Sequence, residues 1–154
     1  VTRPAPGRLL RHPAALAALV VLVVNDHFLK ERFPGVVTGK LSDLAGMVVA
    51  PLVLVTVVDA LAPSSWLRRP GYGAASAWAC AALVAAVFAA TKTWRPATEV
   101  YEAAFVLLWS PLRWARAWAA GREVWGERVV LVRDPTDLVA LPLGAVAALI
   151  AQKR

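Results

Sequence analysis

Three long apolar stretches, near residues 13–33, 43–62 and 72–90, and a shorter fourth at 135–151 constrain this 154-residue chain more than any motif. A soluble domain interleaves apolar and polar residues to make a core and a polar skin. With 59% of the chain hydrophobic, these runs leave too little polar sequence for that skin. They read as membrane spans, and only helices or closed barrels satisfy the backbone in lipid. The expected fold is all-α: an integral membrane bundle of four transmembrane helices. One membrane domain covers 1–154, with an interfacial amphipathic helix at about 97–120 before the last span.

The span ends are unusually polar. Ala14–Val24 would rise only about 16 Å, against a hydrocarbon core of about 30 Å. The first helix must therefore continue through Asn25-Asp26-His27 to Phe33, where Pro34-Gly35 stops it. Asp26 and Lys30 are then four apart and form an ion pair on one helix face. No small-residue cleavage site follows this run, so it reads as a retained span and not a signal peptide. Ser42 as N-cap and Asp43 in the first turn begin the second span. Pro51 sits in its middle and Asp59 near its end, within reach of Arg68 or Arg69. The third span is alanine-rich, and Ala75/Ala79 with Ala82/Ala86/Ala90 give the small-xxx-small spacing of close helix contact. Asp134-Pro-Thr-Asp137 announces the last helix by cap, proline and first-turn acid, but Leu138–Ala151 is only about 21 Å long.

Between the third and fourth spans, Glu99, Glu102, Val106, Trp109, Arg113 and Arg116 form one helical stripe, opposite Tyr101, Ala104, Phe105, Leu108 and Leu112. A charged stripe facing an apolar one describes a helix lying in the interface. Trp94, Trp109, Trp114, Trp118 and Trp125 suit the aromatic belt there. A fifth span over 97–112 is the rival. Residues 124–133 read as a short extended run.

The net charge of +7 does not mark a nucleic-acid binder, because the basic residues flank apolar runs. Arg3, Arg8, Arg11, Arg68, Arg69, Lys153 and Arg154 lie at the tails and the short second loop, so both termini are expected in the cytoplasm. The Ala-, Arg- and Val-rich composition points to a bacterial gene and its plasma (inner) membrane. By parity, four spans gather a candidate polar cluster at the opposite face: Asn25, Asp26, His27, Lys30, Lys40, Ser42, Asp43, Lys92, Asp134 and Asp137.

Intramembrane ionisable residues are costly and are usually paired or functional. The chain lacks a phosphate-binding G-x-x-x-x-G-K-[ST] loop and a G-x-S-x-G elbow. His12 and His27 fall far apart in this topology, and Cys80 is alone, so no metal and no cofactor is expected. Gly39-Lys-Leu-Ser-Asp43-Leu-Ala-Gly46 lacks the further aspartates of the CDP-alcohol phosphotransferases. The blocks Asn25-Asp-His-Phe-Leu-Lys30, Thr38-Gly-Lys-Leu-Ser-Asp43 and Asp134-Pro-Thr-Asp-Leu138 resemble those of small bacterial polytopic membrane proteins. That resemblance implies a membrane location and no activity.

The expected function is non-catalytic: a membrane subunit, a partner-binding protein or a small-solute binder with a charged cluster at one face. An enzyme acting on a lipid or lipid-linked substrate through Asp43 and Asp134/Asp137 is the alternative. A transporter or ion pathway is a further one, disfavoured because the span centres are nearly free of ionisable residues. The expected partners are the lipid bilayer and a second copy or another membrane protein, with no nucleic acid.

Overall fold

The structure is a computed structural model and describes residues 7–119, 121 and 130–153. Among them every regular element is helical. Helix α1 spans Pro13–Arg32, α2 Val36–Leu61, α3 Tyr72–Thr93, α4 Arg95–Ala119 and α5 Pro142–Ala151. A tight turn at Leu9–Arg11 precedes α1, and a single helical turn at Ser64–Leu67 links α2 to α3. Helices α1, α2 and α3 are long and apolar enough to cross a membrane.

The chain divides into two compact units. The first comprises residues 1–86 and 136–154, the second 87–135. In the first, α2 lies between α1 and α5. Its core is made by mixing sizes. Gly144, Ala147, Ala148 and Ala151 of α5 and Ala77, Cys80 and Ala81 of α3 present small residues to Met47, Leu52 and Val55 of α2. A Cβ built on Gly144 would stand 3.1 Å from the Met47 thioether methyl, so the α2–α5 approach depends on that glycine. The alanine contact stripe differs from the expected one: Ala75, Ala79, Ala82 and Ala86 are exposed. The neighbouring stripe that contains Cys80 faces the core instead, because it matches the small residues of α5.

Large apolar side chains cover the outside. Leu16, Leu19, Val20 and Val23 on α1 are between 45% and 60% exposed, as are Leu83 on α3 and Leu149 on α5. This is the inverse of a water-soluble bundle, where such faces stay small.

Two boundaries depart from expectation. Helix α2 begins at Val36, well before Ser42, so Ser42 is not its N-cap and Asp43 is not in its first turn. The start is fixed by Thr38, whose Oγ1 accepts the Gly35 N–H at 3.2 Å and lies 2.9 Å from the Gly35 carbonyl. This is half of a capping box, since glycine has no side chain to return. At the other end of the chain, Pro135–Ala140 is wound as a 3-10 helix before α5. That tighter winding climbs about 2.0 Å per residue, so Pro135–Ala151 rises about 28 Å, slightly more than the same residues would in an α-helix.

The second unit holds the end of α3, helix α4 and the segment at 130–135. Along helix α4, Arg95 pairs with Glu99 at 2.7 Å, and Tyr101, Phe105 and Trp109 form an aromatic ladder that joins Trp109 of the expected charged stripe to the apolar one. The Leu131 N–H donates to Glu102 Oε1 at 2.6 Å, tying the following segment back to this helix. Residues 130–134 form no strand, and the rest of the extended run expected at 124–133 lies outside the described residues.

Candidate functional site

The site begins with a fault in α1. The Lys30 N–H donates to the Asn25 carbonyl five residues back, so the turn Asn25–Leu29 is one residue wider than an α-turn. Wide turns of this kind recur at functional positions because they displace side chains from the helical register. Here the displaced residue is Asn25, which is fully buried. Its Nδ2 donates to the Thr38 carbonyl at 2.6 Å and to Ser42 Oγ at 2.7 Å, both on α2. The Ser42 hydroxyl in turn donates to Asp26 Oδ1, and Lys30 holds that carboxylate at 2.8 Å. The bonds therefore run in one direction, from Asn25 through Ser42 to Asp26, where the charge is balanced by Lys30.

Asn25 Oδ1 is left over. Among the described residues it is the buried side-chain polar atom with no hydrogen-bond partner. Rotating the amide cannot cure this, since the oxygen would then face the Thr38 carbonyl, itself an acceptor. A buried acceptor left unpaired costs about 1–3 kcal/mol, and a donor brought to it recovers that cost.

A second polar contact lies on the far side of α2. Lys40 Nζ donates to Asp137 Oδ1 at 2.9 Å and to Thr136 Oγ1 at 2.5 Å. With 3.6 residues per turn, Thr38 and Ser42 share one side of α2 and Lys40 falls almost opposite. The first turns of α2 are thus gripped from α1 on one side and from the approach to α5 on the other.

Of the expected cluster, the structure brings together Asn25, Asp26, Lys30 and Ser42 in one group, and Lys40 with Asp137 in another. Lys40 and Ser42 thus leave α2 on opposite sides. The misplaced start of α2 hid this, because only a helix that already includes residues 38–42 sends Lys40 and Ser42 to opposite sides. His27 is exposed, and its Nδ1 lies 3.0 Å from the Val23 carbonyl one turn back. Asp43 is half-buried about two turns inside α2 and not at its cap. Lys92 and Asp134 belong to the second unit, where the buried Lys92 ammonium lies 5.4 Å from the Phe88 ring centre. Sequence reasoning missed Thr38 and Thr136. The Gly35-x-x-Thr38 spacing could have found the first, since a threonine three residues into a helix commonly reaches back to its cap.

No protein-family pattern, no curated protein and no solved structure matches this chain. Among the described residues no group of three or more His, Cys, Asp or Glu side chains is arranged to hold a metal ion.

Proposed function

We propose that this chain is a four-span protein of the bacterial plasma membrane. We further infer that it acts without catalysis, as a membrane subunit, partner-binding protein or small-solute binder. The observation that carries the second point is the unused Asn25 Oδ1. The carboxylates of Asp26 and Asp137 are each held by a lysine, whereas the buried acceptor left without a partner is a neutral amide. An amide recognises a donor; it does not exchange protons near neutral pH.

The number of spans is supported by the Lys40–Asp137 bond. Both residues are at one end of the bundle, so the chain between them crosses an even number of times. Helices α2 and α3 supply two crossings, and α4 then lies along the interface, as its one-sided apolar face suits. The basic residues Arg8, Arg11, Arg68, Arg69 and Lys153 flank the opposite ends of the spans, which favours that end as cytoplasmic. The last helix, with its 3-10 lead, is long enough to be the fourth span.

Single cysteines at Glu31, Val37 and Arg133 in a Cys80→Ala background test the topology. All three are expected to react with a membrane-impermeant reagent from one side, and cysteines at Arg8 and Ser64 from the other. Labelling of Arg133 opposite to Glu31 would establish a fifth crossing. Catalysis is tested by incubating the purified protein with native membrane lipids and comparing them by mass spectrometry. The lipids are expected to stay unchanged; a new product that disappears in Asp43→Asn or Asp137→Asn would overturn the non-catalytic reading.

A further inference from the structure

At the end of the first unit away from Asn25, a groove of about 550 Å³ opens between the start of α1 and the end of α5. Three cations stand at its rim: Arg8 and Arg11, with His12 beside them, come from the chain entering α1, and Lys153 from the chain leaving α5. No acidic residue lines it, and among the described residues Arg8, Arg11 and Lys153 carry no ion pair. His12 accepts the Ala14 N–H at Nδ1, 3.2 Å away, which leaves its ring proton on Nε2 as a further donor. The wall below is aliphatic. Val146, Leu149 and Ile150 line it, and Val146 and Leu149 continue onto the exposed apolar face of α5.

Cations gathered around an opening would repel one another unless an anion joins them. A small inorganic anion would have no use for the aliphatic wall, and a nucleic acid none for a groove that continues into oil. A molecule with an anionic head and two hydrocarbon tails uses both, and basic pockets between helices at the cytoplasmic interface bind such heads. We propose that this groove binds one anionic phospholipid of the surrounding bilayer. Its phosphodiester lies among Arg8, Arg11 and Lys153, and its acyl chains run along Val146 and Leu149. The inference rests on the membrane reading above and adds a specific lipid class to it.

The test uses the full chain in an uncharged detergent, studied by native mass spectrometry. Phosphatidylglycerol and phosphatidylcholine with identical acyl chains compete at equal concentration, and inorganic phosphate is added in a separate arm. The expected result is a phosphatidylglycerol adduct at least tenfold over phosphatidylcholine, with no phosphate adduct. The triple variant Arg8→Gln/Arg11→Gln/Lys153→Gln should lose that preference at least tenfold. Leu149→Trp, which fills the aliphatic wall and leaves every cation in place, should weaken the adduct threefold or more, and decides the matter if the triple variant does not fold. Equal binding of the two lipids overturns the proposal, as does a wild-type preference in both variants. A phosphate adduct as strong as the phosphatidylglycerol one replaces it with a simple anion site. A chain that stays in solution without detergent refutes the membrane reading itself; a detergent-requiring chain with no lipid preference refutes only the groove.

Discussion

Asn25 lies toward one end of α1 and Arg11 just before the other, and their surroundings differ in kind. Around Asn25, every lysine of the first unit that is drawn into the bundle finds a carboxylate: Lys30 with Asp26, Lys40 with Asp137. Around Arg11 the cations face outward without acids, and the nearest fixed structure is a tight turn and a helix end. One end spends its charge internally and leaves a neutral acceptor over. The other keeps its charge for something outside the chain. Hydrophobic length separates the two, and this makes the contrast testable by substitution at each end and between them.

The largest effect is expected between the ends. Val20 lies near the middle of α1 and is 60% exposed. In a soluble helix bundle Val20→Asp would change little, since the new charge would meet water. In a bilayer the same charge at a helix centre costs about 2.5–3.5 kcal/mol in insertion. A membrane-insertion reporter on α1 should therefore show a drop in the inserted fraction of tenfold or more. An unchanged fraction, together with good solubility, would remove the hydrocarbon slab on which the comparison depends.

Lys40→Met comes next. It takes one ammonium away from Asp137, whose side chain is only 9% exposed. Breaking an ion pair at a buried position costs about 3–5 kcal/mol, and the 25% exposure of Lys40 lowers that to about 3 kcal/mol here. Thermal unfolding in detergent should show the loss. The double variant Lys40→Met/Asp137→Leu should recover part of it, because the carboxylate that Lys40 balanced is gone with it. Full additivity of the two changes would mean that the pair does not hold α2 to the approach to α5.

These substitutions also show how much the sequence disclosed. The three long apolar helices and the Asp26–Lys30 pair follow from hydropathy and i,i+4 spacing, and Lys40 meets Asp137, another member of the expected cluster. The beginning of α2 does not, because Ser42-Asp43 carries as good a cap signal as the true start at Gly35 and Thr38. Seven residues of error there hid that Lys40 and Ser42 leave the helix on opposite sides. The wide turn at Asn25 was equally hidden. No residue type in Asn25-Asp-His-Phe-Leu29 demands it, and it arises where Asn25 reaches across to α2. The 3-10 winding of Pro135–Ala140 was masked for a related reason, since Asp-Pro-Thr-Asp starts either kind of helix.

Asn25→Ala sharpens the comparison at the knotted end. It removes two hydrogen bonds to α2 and with them the unpaired oxygen. The bonds are worth about 1 kcal/mol each, while losing the orphan acceptor returns some stability. A net loss of about 1–2 kcal/mol is expected by thermal unfolding. Asn25→Asp should be worse than alanine, since a carboxylate at the same place faces the Thr38 carbonyl with no proton between them. If aspartate is tolerated better than alanine, the direction of the bonds from Asn25 to Ser42 to Asp26 is wrong.

The smallest effect belongs to the basic end, and its smallness is the point. Arg8 and Arg11 are exposed and carry no ion pair among the described residues. Arg8→Gln and Arg11→Gln should each change unfolding stability in delipidated detergent by about 0.5 kcal/mol or less, the usual range for exposed surface positions. Adding phosphatidylglycerol should then stabilise the wild type and leave the double variant behind, because a ligand raises stability only in proportion to its affinity for the folded chain. A charge at the Asn25 end cannot show this pattern: its partner is built in, so its loss registers with or without lipid. A large loss from Arg8→Gln before any lipid is added would mean that the two ends use their charge in the same way.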